Sequence, residues 1–244
     1  MNGLAVEHVP SFATAPEAAL AAYRRLGVHV EPGVWTAAEC HALLGAAATL
    51  PAAQSGRFAP EMNPHRLHPR FFEALRDPRV VRIMERLLAG RVSGLQSEFF
   101  YTPPGTPGFA AHQDNYYVEA PPDAFASAWV PLTDTAAANG GLVVYPGSHL
   151  EPILPVAPCE EGGAPTAQDP NARRQRTLVP RAYPAVDLAV PRGAVVLLHG
   201  HLVHASHDNR SPAPRPALLL TYIRRGERFR PGTRARRAEV AVGS

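Results

Sequence analysis

Two widely separated stretches carry the residue types that metal and anion chemistry requires. His112-Gln113-Asp114 sets an imidazole and a carboxylate two residues apart. On a β-strand, alternate residues project from the same face, so these two donors are expected to point together. Alone, a His-x-Asp triplet is a common accident of sequence. Far downstream, LHGHLVHASHDNRSPAPR (Leu198 to Arg215) places His199, His201, His204 and His207 within nine residues. They cannot all serve the same purpose.

Gly193 to Ser206 reads as one long strand, followed by the turn DNRSPAP and a returning strand, RPALLLTYI. Period two puts His204 and Ser206 on one face and His199 and His201 on the other. A hairpin centred near Arg210 would bring Arg215 opposite Ala205, within a residue or two. His112, Asp114 and His204 then form two imidazoles and one carboxylate. On one face of an octahedron such a set leaves three positions open, as in non-haem Fe(II) sites. Arg215 and Ser206 beside it make a carboxylate clamp, because a guanidinium fork matches two oxygens and a hydroxyl adds a further bond. Iron next to a carboxylate clamp calls for a cofactor that chelates metal at one end and carries a carboxylate at the other. 2-Oxoglutarate has that form.

The elements that must position these groups fall into two regions. The first ninety or so residues read as mainly helical. PEAALAAYRRL opens with Pro16 and stops at Gly27; Thr36 and Glu39 match a capping box; DPRVVRIMERLL sets Val80, Val81, Met84, Leu87 and Leu88 on one face. His41 and Met84 are read as packing residues, and VHVEPGVW as a short strand and turn. From Val92 onward, short apolar segments (LQSEFFY, ASAWVPL, GLVVYP, ALLLTYI) alternate with Pro- and Gly-rich turns, which is the pattern of a β-sandwich or barrel. Helices first and strands later, without regular alternation, argue against a doubly wound parallel sheet. The expected fold is α+β, mainly β: a double-stranded β-helix (jelly-roll, cupin-like) with flanking N-terminal helices. One domain is expected over 1–244, with helices over about 1–91, a jelly-roll over about 92–225 and a lid over about 151–180. The lid is expected because a connection that long with little periodicity inside a compact domain is usually a cover or binding loop. Its arginines, Arg173, Arg174, Arg176 and Arg181, would favour an anionic substrate.

Composition narrows the function classes. The chain has 244 residues, 45% hydrophobic, and a net charge of +3. No apolar run reaches the length of a membrane span, the first residues lack the pattern of a secretory signal, and Cys40 and Cys159 are too few for a disulfide framework. A cytoplasmic protein is expected, with a small-molecule substrate and neither a nucleic-acid nor a membrane partner. All 24 basic residues are arginine. Those in RRGERFRPGTRARR (Arg224 to Arg237) are read as a solvated or frayed basic tail, since only one aromatic residue, Phe229, interleaves them and no known nucleic-acid motif is present. Composition leaves the oligomeric state open.

The motif His112-Gln113-Asp114, the segment NGGLVVYPGSH (Asn139 to His149) and the histidine-rich stretch, in this order, resemble the phytanoyl-CoA dioxygenase family of Fe(II)/2-oxoglutarate oxygenases. AYRRLGVHVEPGVWTAAECHAL is similar to that family's opening, and HPRFFEALRDPRVVRIMERLLAG to its helical linker, so the resemblance covers nearly the whole chain. It implies that His112, Asp114 and His204 ligate Fe(II), and that Arg215 binds the distal carboxylate of 2-oxoglutarate with help from Ser206. Gln96 resembles a position contacting cosubstrate or substrate in ectoine hydroxylases. Asn115, Tyr116, Tyr117, Trp129 and His207 are expected substrate contacts, His207 with a surface role as its alternative. Asn209 and Ser211 are expected to shape the turn, and His199 to be buried and hydrogen-bonded. The implied reaction uses O2 and releases succinate and CO2, with hydroxylation of an unactivated C–H bond as the default and natural-product biosynthesis as a setting. Desaturation, epoxidation and ring closure are its variants. Asp114 argues against halogenation, for which the family replaces this carboxylate with a small residue. A catalytically silent cupin-like binding protein is the alternative from another class.

Overall fold

The structure is a computed structural model in which residues 10–159 and 174–243 are described. The middle of the expected lid, including Arg173, lies outside them. Helices dominate the first part. α1 (Pro16–Leu26) starts on proline, and α2 (Ala37–Ala47) starts on the capping box: Thr36 Oγ1 accepts from the Glu39 amide, and Glu39 accepts from the Thr36 amide. α3 (Pro51–Gln54), α4 (Pro69–Leu75) and α5 (Pro78–Leu87) follow, the last capped by Asp77. Met84 is fully buried, as expected of a packing residue, whereas His41 faces solvent on α2.

The strands form an antiparallel seven-stranded sheet and a smaller sheet facing it. The large sheet runs in the order β1 (Val28–Glu31), β9 (Val195–His199), β4 (Phe125–Pro131), β11 (Ala217–Arg224), β3 (Val92–Phe100), β12 (Val240–Ala241), and β2 (Glu61–Met62) also pairs with β3. The small sheet is β10 (His204–Ser206), β5 (Leu142–Val144) and β8 (Val186–Asp187); β6 (Val156–Pro158) and β7 (Gln175–Thr177) make a separate hairpin at the ends of the expected lid. This is the mainly β, double-stranded β-helix architecture.

Period two along the large sheet separates two environments. Leu218, Leu220 and Tyr222 of β11, with Ala126, Ala128 and Val130 of β4, pack under the helices against Phe71, Leu75 and Met84. The alternate residues, among them Trp129, Leu219 and Thr221, face inward. The same alternation that buries the helical layer therefore points the remaining side chains into the space between the sheets.

Two local expectations are corrected. Gly193 to Ser206 is not one strand, because the chain leaves the large sheet after His199 and enters the small one at His204. At the crossing, the Gly200 amide donates to Phe125 O, and a β-carbon on Gly200 would lie 2.7 Å from the Phe125 ring. Nor do β10 and β11 form a hairpin. β10 pairs with β5, while β11 pairs with β3 and β4. Asn209 shapes the intervening turn, its side-chain amide donating to Thr102 O and Ala213 O.

The C-terminal segment is not a frayed tail. Val242 is buried in the helical core, β12 pairs with β3, and the Asn63 and Arg66 side chains donate to the Ala235 and Arg236 carbonyls.

Candidate metal centre

His112 and His204 are cross-strand partners. Each amide donates to the other's carbonyl at 2.9 Å, forming an isolated antiparallel bridge on the open edge of β10. Residues opposed in this way present their side chains on the same face, and the two rings lie 4.2 Å apart between centroids. The bridge depends on close approach: a β-carbon on Gly108 would lie 2.0 Å from Ser206 O, so only glycine lets this segment run alongside β10. The strand reading of His112-x-Asp114 is corrected here. Asp114 has helical backbone angles (φ −58°, ψ −38°) and heads the short α6 (Asn115–Val118), so a turn, not alternation, swings its carboxylate beneath the imidazoles.

The Asp114 Oδ1 atom lies 3.6 Å from His112 Nε2 and 3.7 Å from His204 Nε2. Two ligands of one first-row ion with bonds of about 2.1 Å are at most about 4.2 Å apart, so Asp114 can share an ion with either imidazole, and the three ligand atoms all lie within 4.8 Å of one another. The donors are also prepared for it. His112 Nδ1 donates to Ala110 O at 2.8 Å and His204 Nδ1 to Leu202 O at 3.1 Å, which leaves each Nε2 lone pair facing the centre. Ser127 donates to Asp114 Oδ2 at 2.7 Å, leaving Oδ1 for the ion. Burial, and then the neighbouring His204, push His112 down to about 4, so it is neutral and able to ligate at neutral pH. Burial acts to raise Asp114, but His204, His112, Ser127 and Arg237 outweigh it and hold the carboxyl below its ordinary range.

The triad opens into a cavity of about 400 Å³ between the sheets, and Arg215, Ser206, Gln96, Tyr117 and Trp129 line it. Arg215 is 3% exposed and has no carboxylate partner among the described residues; its Nε has no hydrogen bond. The guanidinium lies 5.4 Å over the Trp129 ring, and burial lowers its pKa only to about 10, so it stays charged at neutral pH. A buried, unpaired cation is costly unless an anion completes it. Ser206 Oγ accepts from the Phe109 amide and so keeps its own proton to donate. Gln96 reaches Met62 Sδ at 3.0 Å.

Three other expected contacts lie elsewhere. The Asn115 side chain is occupied by the Ala120 backbone and His201. Tyr116 lines a separate depression with Asn115 and His201 and is absent from the wall of the triad's cavity. His207 pairs with Asp187 at 2.8 Å outside the cavity. His199 and His201 are buried on the far side, with His199 bonded to Asp123 and His201 to Asn115. Of the lid arginines among the described residues, Arg174, Arg176 and Arg181 are exposed and absent from the cavity wall, while Gln175 between two of them lines it. Sequence reasoning missed the C-terminal contribution: Arg230, Arg234 and Arg237 stand at the cavity wall, as does Glu98. The overlooked signal is the apolar pair Val240 and Val242, which ties the chain down beyond the arginines.

A family model described as "Phytanoyl-CoA dioxygenase (PhyH)" matches residues 23–217. Phytanoyl-CoA dioxygenase 1 of rice (Oryza sativa) is 29% identical over 160 residues, covering 65% of this chain and 54% of that protein. The ectoine dioxygenase of Nocardia farcinica is 27% identical over 175 residues, covering 65% and 56%. The chain thus spans about half the length of the curated relatives it matches. Among solved structures, the 2-oxoglutarate-dependent carbocyclase SnoK from nogalamycin biosynthesis aligns with TM-score 0.72 at 21% identity, over 96% of this chain and 91% of that one. EctD from S. alaskensis, solved with 2-oxoglutarate and 5-hydroxyectoine, aligns with TM-score 0.67 at 23% identity, over 92% and 82%. These two likenesses concern the fold. With the family model spanning both halves of the triad and Arg215, the chain belongs to the phytanoyl-CoA dioxygenase family.

Proposed function

We propose that this protein is an Fe(II)- and 2-oxoglutarate-dependent dioxygenase acting on a small molecule, with hydroxylation of an unactivated C–H bond as its default outcome. One observation carries the reading: a buried Arg215, with no carboxylate partner among the described residues, shares one cavity with a two-histidine, one-carboxylate triad. Metal alone would account for the triad and leave the cation unexplained. A cosubstrate that chelates metal and ends in a carboxylate accounts for both.

His112, Asp114 and His204 would hold one face of the ion, and their carbonyl and hydroxyl partners keep the ligand atoms directed at it. Arg215, with Ser206, would take the carboxylate remote from the metal and so fix the cosubstrate's orientation. Phe100, Phe109 and Leu219 make part of the wall apolar. Bound there with O2, Fe(II) and 2-oxoglutarate would supply an oxidative decarboxylation to succinate and CO2 that is coupled to oxidation of the substrate. Asp114 occupies the position that halogenation would require to be vacated.

The structural relatives include a carbocyclase and an epimerase from nogalamycin biosynthesis. They support natural-product tailoring as the setting and leave ring closure as a second outcome of the same site. A cytoplasmic location is part of the proposal; among the described residues, no helix is long and apolar enough to cross a membrane. The test is succinate formation by purified protein with Fe(II), 2-oxoglutarate and O2, each omitted in turn. Loss of succinate on each omission is the expected result. Failure of the iron-loaded protein to bind 2-oxoglutarate overturns the reading and leaves the silent binding protein.

A further inference from the structure

A second guanidinium on the cavity wall is not explained by the cosubstrate. Arg237 comes from the C-terminal segment, far from Arg215 in sequence and on the side of the cavity next to α6. Its Nη1 donates to Tyr117 O at 3.1 Å and to Arg230 O at 3.3 Å, which anchors one end of the fork. The other edge, Nε and Nη2, makes no hydrogen bond among the described residues. That edge presents two parallel N–H groups, the geometry that receives both oxygens of a carboxylate.

The surroundings hold this arginine in place without neutralising it. Neighbouring Arg230 is already satisfied: it pairs with Glu119 at 2.8 Å and donates to the Tyr116 and Tyr117 carbonyls. Its own amide donates to Val118 O. The C-terminal segment is therefore fastened to the carbonyl end of the helix that begins at the metal-binding Asp114. Arg237 is close enough to the metal site to help hold Asp114 ionised, and it feels Glu98 across the wall without forming an ion pair with it. It is half-buried, with burial lowering its pKa. Beside the charged Arg234 and Glu98, the wall carries apolar side chains, Met62, Phe100 and Val118 among them.

We infer that Arg237 is the substrate-recognition residue, and that the substrate is a small molecule with an apolar body and a carboxylate held by the free edge of Arg237 while the body lies over the metal. This inference rests on the dioxygenase reading, since it assigns Arg215 to the cosubstrate and leaves Arg237 to the substrate.

The test uses straight-chain carboxylates from hexanoate to decanoate and their primary amides. They are titrated calorimetrically into Fe(II)-loaded protein saturated with 2-oxoglutarate under nitrogen, so that Arg215 is occupied and turnover is blocked. Carboxylates are expected to bind roughly 10- to 100-fold more tightly than the amides, the range for a charge-assisted bond. Arg237→Gln should erase that preference while keeping the native far-ultraviolet circular dichroism spectrum, which shows that the variant folds. Arg237→Lys, with charge but no fork, should fall between. Carboxylates that bind no better than amides to the native protein, or a preference that survives Arg237→Gln, overturn the inference. The comparison is repeated on Arg215→Gln without 2-oxoglutarate. If the carboxylate preference persists there although the native protein shows no 2-oxoglutarate binding, the dioxygenase reading falls and the anion site stands.

Discussion

At the residue scale, Arg215 shows function and stability opposed at one position. Buried over the Trp129 ring without a counter-charge among the described residues, it carries a desolvation cost in the ligand-free protein that one ring contact offsets only in part. Arg215→Met should raise the melting temperature of the ligand-free protein while raising the KM for 2-oxoglutarate at least tenfold. Thermal unfolding and steady-state kinetics on the same preparation check both halves. His207 is the counter-example. It shares a dense cluster with His204, yet its side chain is 38% exposed and pairs with Asp187 outside the cavity. His207→Ala should leave turnover within about twofold of the native rate and cost at most about 1 kcal/mol, the range of an exposed ion pair. A turnover loss of tenfold or more would return His207 to the site. Period two and the family resemblance already singled out His204 as the iron ligand; what the fold decided is the place of His207, which it turns away from the cavity onto Asp187.

At the element scale, the metal site is a bridge between elements rather than a motif on one. His112 meets His204 by cross-strand pairing, and Asp114 meets both by a turn into α6. The tolerance of that bridge is set by Gly108. Gly108→Ala places a methyl 2.0 Å from the Ser206 carbonyl, so either strand must move. The expected result is metal affinity reduced by a factor of roughly 10 to 100, the scale seen when the groups that orient ligands are disturbed, with the helical layer unaffected. Metal titration combined with far-ultraviolet circular dichroism checks this. Helix boundaries were legible in advance because their signals are local: Pro16, the Thr36–Glu39 box and Asp77 each act within one turn. The break at Gly200 was not, because it is imposed by Phe125 on a strand distant in sequence.

At the scale of the whole molecule, burial of neutral histidines couples stability to pH. Burial, and then Arg66, push His65 to about 4, and burial also lowers His149 and His199. In the unfolded chain these groups take up protons near 6.5. Above that value both states are neutral and the fold carries no penalty. As pH falls from about 6.5 toward 4, the unfolded chain binds protons that the folded one refuses, so stability declines. The chelator-treated protein should therefore lose melting temperature steadily over that window, and His65→Gln should flatten the slope. A melting temperature unchanged between pH 7 and 4 would show that these imidazoles are not held neutral.

The sequence by itself determined the residue types of the triad, the mainly β class and the helical caps, because periodicity and capping are properties of adjacent residues. Tertiary structure decided which surfaces those residues share. A strand's neighbours are chosen by packing across the whole chain, so β10 joins β5 and β11 joins β3 and β4, although β10 and β11 follow one another in sequence. The same long-range choice brings Arg215 into the cavity by another route and folds a basic C-terminal run onto its wall. Charge and spacing alone describe that run as solvated. Its role follows from Val242 being buried beneath the helices, a contact formed only once those helices are in place.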